Sequence, residues 1–108
     1  MNRPEPEPSF TRHGVATLPK ILEHTASLFP DKAIVHISPL DGGEDQQTYA
    51  ELQNQSRMVA RLLLAKGWRP GDLCLFVLSD SRAFVTLFWG CQLAGVVPVP
   101  LAPLQGNK

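Results

Sequence analysis

The stretch LCLFVLSDSRAFVTLFWGCQLAGVVPVPL, residues 73–101, decides the fold. Its first six residues, Leu73 to Leu78, are apolar without a break, the pattern of a strand buried on both faces in a parallel sheet. Ser79, Asp80 and Ser81 then offer side-chain oxygens suited to capping a helix. From 81 to 94 the residues Phe84, Val85, Leu87, Phe88, Trp89, Cys91, Leu93 and Ala94 cover most of a helical circumference. That helix is expected to be buried on more than one side. Gly95 ends it, and 96–100 reads as a second strand. Pro98 and Pro100 each remove a backbone donor there, which implies an edge position or a local break in pairing. Strand, helix and strand make one βαβ unit over 73–100, expected to be right-handed with parallel strands.

Working back towards the N-terminus, RPGD (69–72) is a tight turn in which Pro70 presets φ and Gly71 permits positive φ. Before it lies the best-marked helix. Thr48 and Glu51 form a T-x-x-E capping box. Leu52, Val59, Leu62 and Leu63 share one face with Ser56 and Lys66, Gly67 follows as terminator, and Trp68 can make the apolar contact that accompanies such an end. AIVHI (33–37) is a short strand, SPLDGGEDQ a turn-rich loop with an Asp41-Gly42 hairpin signal, and QQTY (46–49) can pair back on 33–37. A first helix starts at Thr17 and stops at Pro30, with Leu18, Ile21, Leu22, Thr25 and Leu28 on one face. Residues 1–16, rich in proline and glutamate, are expected to be a disordered leader, with 17–108 as the folded part. The fold class is α/β: one βαβ unit preceded by two helices and a small hairpin. That is too little to cover both faces of a parallel sheet, so the fold is expected to be incomplete on its own.

The chain has 108 residues, ten basic and ten acidic, for a formal net charge of zero. Neutrality gives no electrostatic case for nucleic acid or an anionic membrane as partner. No apolar run approaches the length of a membrane span, and the N-terminus lacks a signal-peptide core, so a cytoplasmic location is expected. Cys74 and Cys91 lie in apolar runs without metal-like spacing and read as buried, reduced thiols. His13, His24 and His36 have no acidic or cysteine partner at ligand spacing. His36 could serve as a base brought into place by folding, but a strand histidine with an ordinary hydrogen bond is the preferred reading. Glu44 and Asp45 read as solvated loop carboxylates. The 79–81 loop is a generic anion position, yet Asp80 already supplies the negative charge, so helix capping is preferred. No phosphate-loop, nucleophile-elbow or dinucleotide motif occurs. No catalytic, cofactor-binding or metal residue is assigned.

The order of the motifs nevertheless carries a resemblance. TYAEL (48–52), LLLAKGWRPGDLCLFVL (62–78), SRAFVTLFWGCQLAG (81–95) and VVPVPL (96–101) resemble the start of the adenylate-forming (AMP-binding) enzymes. These include acyl-CoA synthetases, fatty acyl-AMP ligases and adenylation domains of nonribosomal peptide synthetases. The resemblance runs from about Thr17 to Pro103. It implies the opening segment of the large N-terminal domain of such an enzyme, ending before the phosphate-binding loop. The matching residues Thr48, Tyr49, Glu51, Leu52, Gly71, Asp72, Ala94, Gly95, Val99, Pro100 and Leu101 take scaffold roles.

For an intact protein the resemblance implies ATP-dependent activation of a carboxylic acid, with Mg²⁺ offsetting phosphate charge. Transfer of the acyl group to the thiol of coenzyme A or of a carrier protein's phosphopantetheine would follow. Neither ATP nor Mg²⁺ is expected to bind this segment alone, which is expected to be inactive without the remainder of the adenylation domain. Amino-acid-activating members commonly read Ala-Tyr-Val-Pro-Leu-Asp where this chain has Val97, Pro98 and, at the acidic place, Ala102. That departure tilts the expectation towards a fatty or aryl acid ligase, or a starter adenylation domain of a polyketide/nonribosomal peptide synthetase. The competing readings are a docking or scaffold module derived from the same fold, and an unrelated small α/β protein.

Overall fold

The computed structural model describes residues 17–102; the expected leader (1–16) and residues 103–108 lie outside the described residues. Helix α1 (Leu18–Leu28) begins where Thr17 Oγ1 accepts from the Lys20 amide at 3.3 Å, with Pro19 in the first turn. Strands β1 (Ala33–Ile37) and β2 (Glu44–Thr48) pair antiparallel, from Ala33 opposite Thr48 to Ile37 opposite Glu44. Residues 38–43 close the hairpin through Ser38 N–H to Gly43 O (2.7 Å) and Gly42 N–H to Ser38 O (2.9 Å). Gly42 sits at φ 74°, a conformation glycine adopts without strain. The Asp-Gly signal is therefore genuine, in a loop longer than the two-residue turn it usually marks. The Gly43 amide, 2.8 Å from Asp41 Oδ1, holds that carboxyl below its ordinary pKa, with Ser38 adding to the effect.

Helix α2 (Tyr49–Ala65) carries the expected capping box: Thr48 N–H donates to Glu51 Oε1 at 2.9 Å, and Glu51 N–H to Thr48 Oγ1 at 3.0 Å. Its other end is a full Schellman motif, with Gly67 N–H to Leu64 O (3.1 Å) and Trp68 N–H to Leu63 O (3.0 Å). Strand β3 (Leu73–Phe76), helix α3 (Ser81–Ala94) and strand β4 (Val97–Pro100) form the βαβ unit, with β3 and β4 parallel. Asp80 is the cap of α3, accepting from the Ala83 amide at 2.8 Å. The helix closes by the same device as α2: Gly95 at φ 78°, its N–H on Gln92 O (3.2 Å), and Val96 N–H on Cys91 O (2.9 Å).

The main core lies between α2, α3 and the β3–β4 pair. Ala60, Cys74, Phe76, Cys91, Ala94 and Val96 are buried there, with Leu63, Trp68 and Phe84 among those packed against them. The Phe76 and Phe84 rings meet edge to face at 5.3 Å. Helix α3 touches α1, α2, β1 and β4, so its near-continuous apolar surface is used on several sides, as its composition implies.

Three expectations need correction. The run 73–78 is not a strand buried on both faces. Its ladder ends at Phe76, and burial alternates, with Cys74 and Phe76 inside and Leu73 and Leu75 each 60% exposed. Helices cover one face, while Leu73, Leu75 and Val97 on the other stay exposed. Second, the buried seam of α2 is Leu52, Gln53, Ser56 and Ala60, while Leu62 is exposed and Val59 and Leu63 are half-buried. Small residues win the seam because α3 approaches there through Gly90, where a Cβ would lie 2.6 Å from Val59 Cβ. Third, α1 buries Leu22 and Ala26, leaving Leu18 and Leu28 exposed at its ends.

The prolines of β4 also find their reason. Val97 N–H donates to Asp72 O (2.8 Å) and Leu101 N–H to Phe76 O (2.9 Å), so the odd-numbered residues face β3. Pro98 and Pro100 fall on the even positions, whose backbone points away. They cost the β3–β4 ladder nothing and remove the donors from the far edge, which discourages a further strand from pairing there.

Candidate functional site

The motif residues separate into two groups in the fold. Thr48, Tyr49, Glu51 and Leu52 sit at the start of α2. Tyr49 N–H bonds Lys32 O at 2.7 Å, anchoring the helix to the residue before β1, and Leu52 is 2% exposed. Gly71, Asp72, Ala94 and Gly95 form a knot between the RPGD turn and the end of α3. Gly71 N–H donates to Gly95 O at 2.9 Å, Asp72 N–H to Arg69 O at 3.0 Å, and Arg69 N–H to Asp72 Oδ2 at 2.8 Å. A Cβ on Gly95 would stand 3.2 Å from Pro70 Cβ, so glycine serves there both the positive φ and the close approach. Val99 and Pro100 pair with Leu75 and Phe76, and Leu101 continues the ladder. These contacts are scaffold contacts. Among the described residues no three His, Cys, Asp or Glu side chains stand close enough to hold a metal ion.

Chemistry-bearing side chains instead converge where the hairpin meets α2 and α3. His36, 6% exposed, and Gln47, fully buried, share the helix-facing side of the hairpin. His36 Nδ1 lies 2.6 Å from Ser81 Oγ, and Nε2 lies 2.8 Å from Gln47 Oε1. Gln47 Nε2 reaches Gln55 Oε1 on α2 at 2.9 Å and Thr86 Oγ1 on α3 at 2.8 Å. Arg82, beside Ser81, reaches Gln55 Oε1 at 3.5 Å, Asp45 Oδ2 at 3.0 Å and Gln46 O at 2.9 Å.

The direction of this chain of bonds follows from its end. A guanidinium can only donate, so Gln55 presents its oxygen to Arg82 and to Gln47. Gln47 then donates with both amide hydrogens and accepts through Oε1. His36 therefore carries a hydrogen on Nε2, and in the neutral ring Nδ1 is then an acceptor for the Ser81 hydroxyl. The histidine tautomer is thus fixed by an arginine two residues removed along the network, an assignment from donor capacity alone.

Ser81 is exposed, and a cleft of about 520 Å³ opens beside it, lined by residues 36–40 and 79–81. His36 therefore makes the strand hydrogen bond that its position implies, but to a surface hydroxyl. Glu44 and Asp45 correct another expectation in part: both are β2 residues rather than loop residues, and Asp45, still 59% exposed, pairs with Arg82. Gln47, Gln55, Ser81, Arg82 and Thr86 were not legible as a group. They come from three separate segments, and the one available signal was the polar His36/Gln47 pair on the hairpin side that faces two apolar helices.

A sequence model of the family described as AMP-binding enzyme matches residues 22–108. The medium-chain fatty-acid–CoA ligase of Escherichia coli K12 is 33% identical over 90 residues, 83% of this chain and 15% of that protein. The fatty acid AMP ligase of Legionella pneumophila shares the fold at a TM-score of 0.76 and 26% identity, over 84% of this chain and 16% of its own. The adenylation domain of a keto acid-selecting nonribosomal peptide synthetase module, bound to keto acyl adenylate, matches at a TM-score of 0.72 and 34% identity, over 89% of this chain and 18% of that one. The chain thus spans less than a fifth of the length of these relatives.

Proposed function

Since the chain belongs to the AMP-binding enzyme family, we propose that it is the opening part of a protein that activates a carboxylic acid with ATP. The carboxylate attacks the α-phosphorus, pyrophosphate leaves, and the acyl-adenylate passes its acyl group to a thiol of coenzyme A or of a carrier protein. Mg²⁺ would offset the charge on the phosphates. The family match over residues 22–108 carries this reading. The role of the motif residues is structural: the capping box starts α2, and the knot between Gly71 and Gly95 fixes the βαβ unit. The outward row of Leu73, Leu75, Val77 and Val97 supports a place as one layer of a larger domain that covers them.

A fatty, aryl or keto acid is the substrate class we favour over an amino acid, on the Val97-Pro98 and Ala102 departures and the fatty-acid and keto-acid relatives. ATP–pyrophosphate exchange by the longer protein across fatty, aryl, keto and amino acids tests both parts. Exchange fastest with a fatty, aryl or keto acid is expected; exchange fastest with an amino acid removes the substrate assignment. The 108-residue chain is expected to give no exchange with any acid, and exchange by it alone would overturn the structural role.

A further inference from the structure

We infer that Ser81 is a nucleophile activated by His36, able to take an acyl group from an ester or anhydride with a good leaving group. Two observations on different elements carry this. Ser81 Oγ lies 2.6 Å from His36 Nδ1, and in the neutral imidazole the Arg82–Gln55–Gln47 network places the ring hydrogen on Nε2, so the hydroxyl donates to Nδ1. A general base must lie within hydrogen-bond reach of the proton it removes and be held in the right tautomer by a third group. Ser81, His36 and Gln47 meet both conditions. The oxygen is also reachable, since Ser81 is exposed and borders the 520 Å³ cleft. The inference concerns this hydroxyl alone and holds whatever the parent protein activates.

In the step, Ser81 Oγ bonds to the acyl carbon as the carbon–oxygen bond to the leaving group breaks. The leaving group departs with that electron pair, and the hydroxyl proton moves to His36 Nδ1 and then to solvent. Hydrolysis of the product is hindered. His36 is 6% exposed and its Nε2 is engaged by Gln47, so little of the ring is open to hold a water against the ester. The expected behaviour is a single acylation without turnover.

The full chain is incubated with p-nitrophenyl acetate near neutral pH, p-nitrophenolate release is followed, and the adduct is located by peptide mass. One equivalent released and one acetyl group on Ser81 are expected. Ser38 and Ser79 line the same cleft without a histidine partner and serve as internal controls. Ser81→Ala abolishes the burst. His36→Asn lowers the Ser81 rate roughly 100-fold, the low end of what a general base contributes, with folding checked by circular dichroism. Acetylation of Ser81 no faster than of Ser38 and Ser79, or an unchanged rate in folded His36→Asn, overturns the inference. Should His36→Asn not fold, the comparison among the three serines in the unmodified chain decides alone.

Discussion

Replacing Gly90 by alanine probes the contact on which the two long helices depend. In isolation the change favours a helix, by about 1 kcal/mol. In this structure the new Cβ would stand 2.6 Å from Val59 Cβ and 3.3 Å from Ser56 O. Carbon atoms rest at roughly 3.5–4.0 Å, so α2 and α3 must part by about an ångström. That separation loosens a seam in which Ser56 and Cys91 are fully buried and Ala60 and Ala94 nearly so. Overpacking of this kind costs about 3 kcal/mol at the upper end of its usual range. The net expectation is a loss of about 2 kcal/mol, or roughly 8–16 °C in Tm for a domain of this size. Val59→Ala alone should cost about 1–2 kcal/mol for the methyl groups removed from a half-buried site. In the double variant the contact with Val59 Cγ1 is gone but those with the Cβ of residue 59 and Ser56 O remain, so Gly90→Ala should cost less than in the parent and the two changes should be non-additive. Urea and thermal unfolding of the four proteins supply the cycle. A Gly90→Ala variant as stable as the parent, or losses that simply add, would refute the close-approach explanation of the seam.

Ser56 offers the opposite sign. Its hydroxyl is buried without a hydrogen-bond partner, a state that costs about 1–3 kcal/mol, so Ser56→Ala should stabilise by about 1 kcal/mol in the same unfolding assay; a loss would mean the hydroxyl is bonded. Burial first, and the neighbouring Cys74 second, push the Cys91 thiol from its ordinary 9.0 to about 12. The folded state therefore holds that proton more tightly, and the associated stability is complete below pH 9 and lost as pH rises from there through 12. Alkylation of Cys91 should be slow in the native chain near pH 8 and fast after unfolding, and rapid native alkylation would contradict the burial. Leu73 and Leu75 are each 60% exposed on the outer sheet face, so changing both to serine should reduce self-association of the 108-residue chain in sedimentation while lowering its Tm little. A large fall in Tm would show that the face is already covered.

The local signals were legible because each needs only a few neighbouring residues. Thr48 and Glu51 satisfy each other's backbone donors within one helical turn. Asp80 caps α3 three residues before its partner amide, and Gly67, Gly71 and Gly95 take the positive φ that no other residue adopts cheaply. The βαβ order and the parallel pairing of β3 with β4 followed from the same local reading. Other features depended on which surfaces meet. The apolar run 73–78 looked two-sided, but a strand is covered only where another element lies, and here helices lie on one face. The seam of α2 ran through Ser56 and Ala60, because Gly90 on another helix admits small residues and not the more apolar Leu62. His36 illustrates the division most clearly. Its sequence position determined a strand histidine with a hydrogen bond. Only the tertiary structure decided that the bond goes to Ser81, forty-five positions away, and that an arginine acting through two glutamines sets which nitrogen receives it.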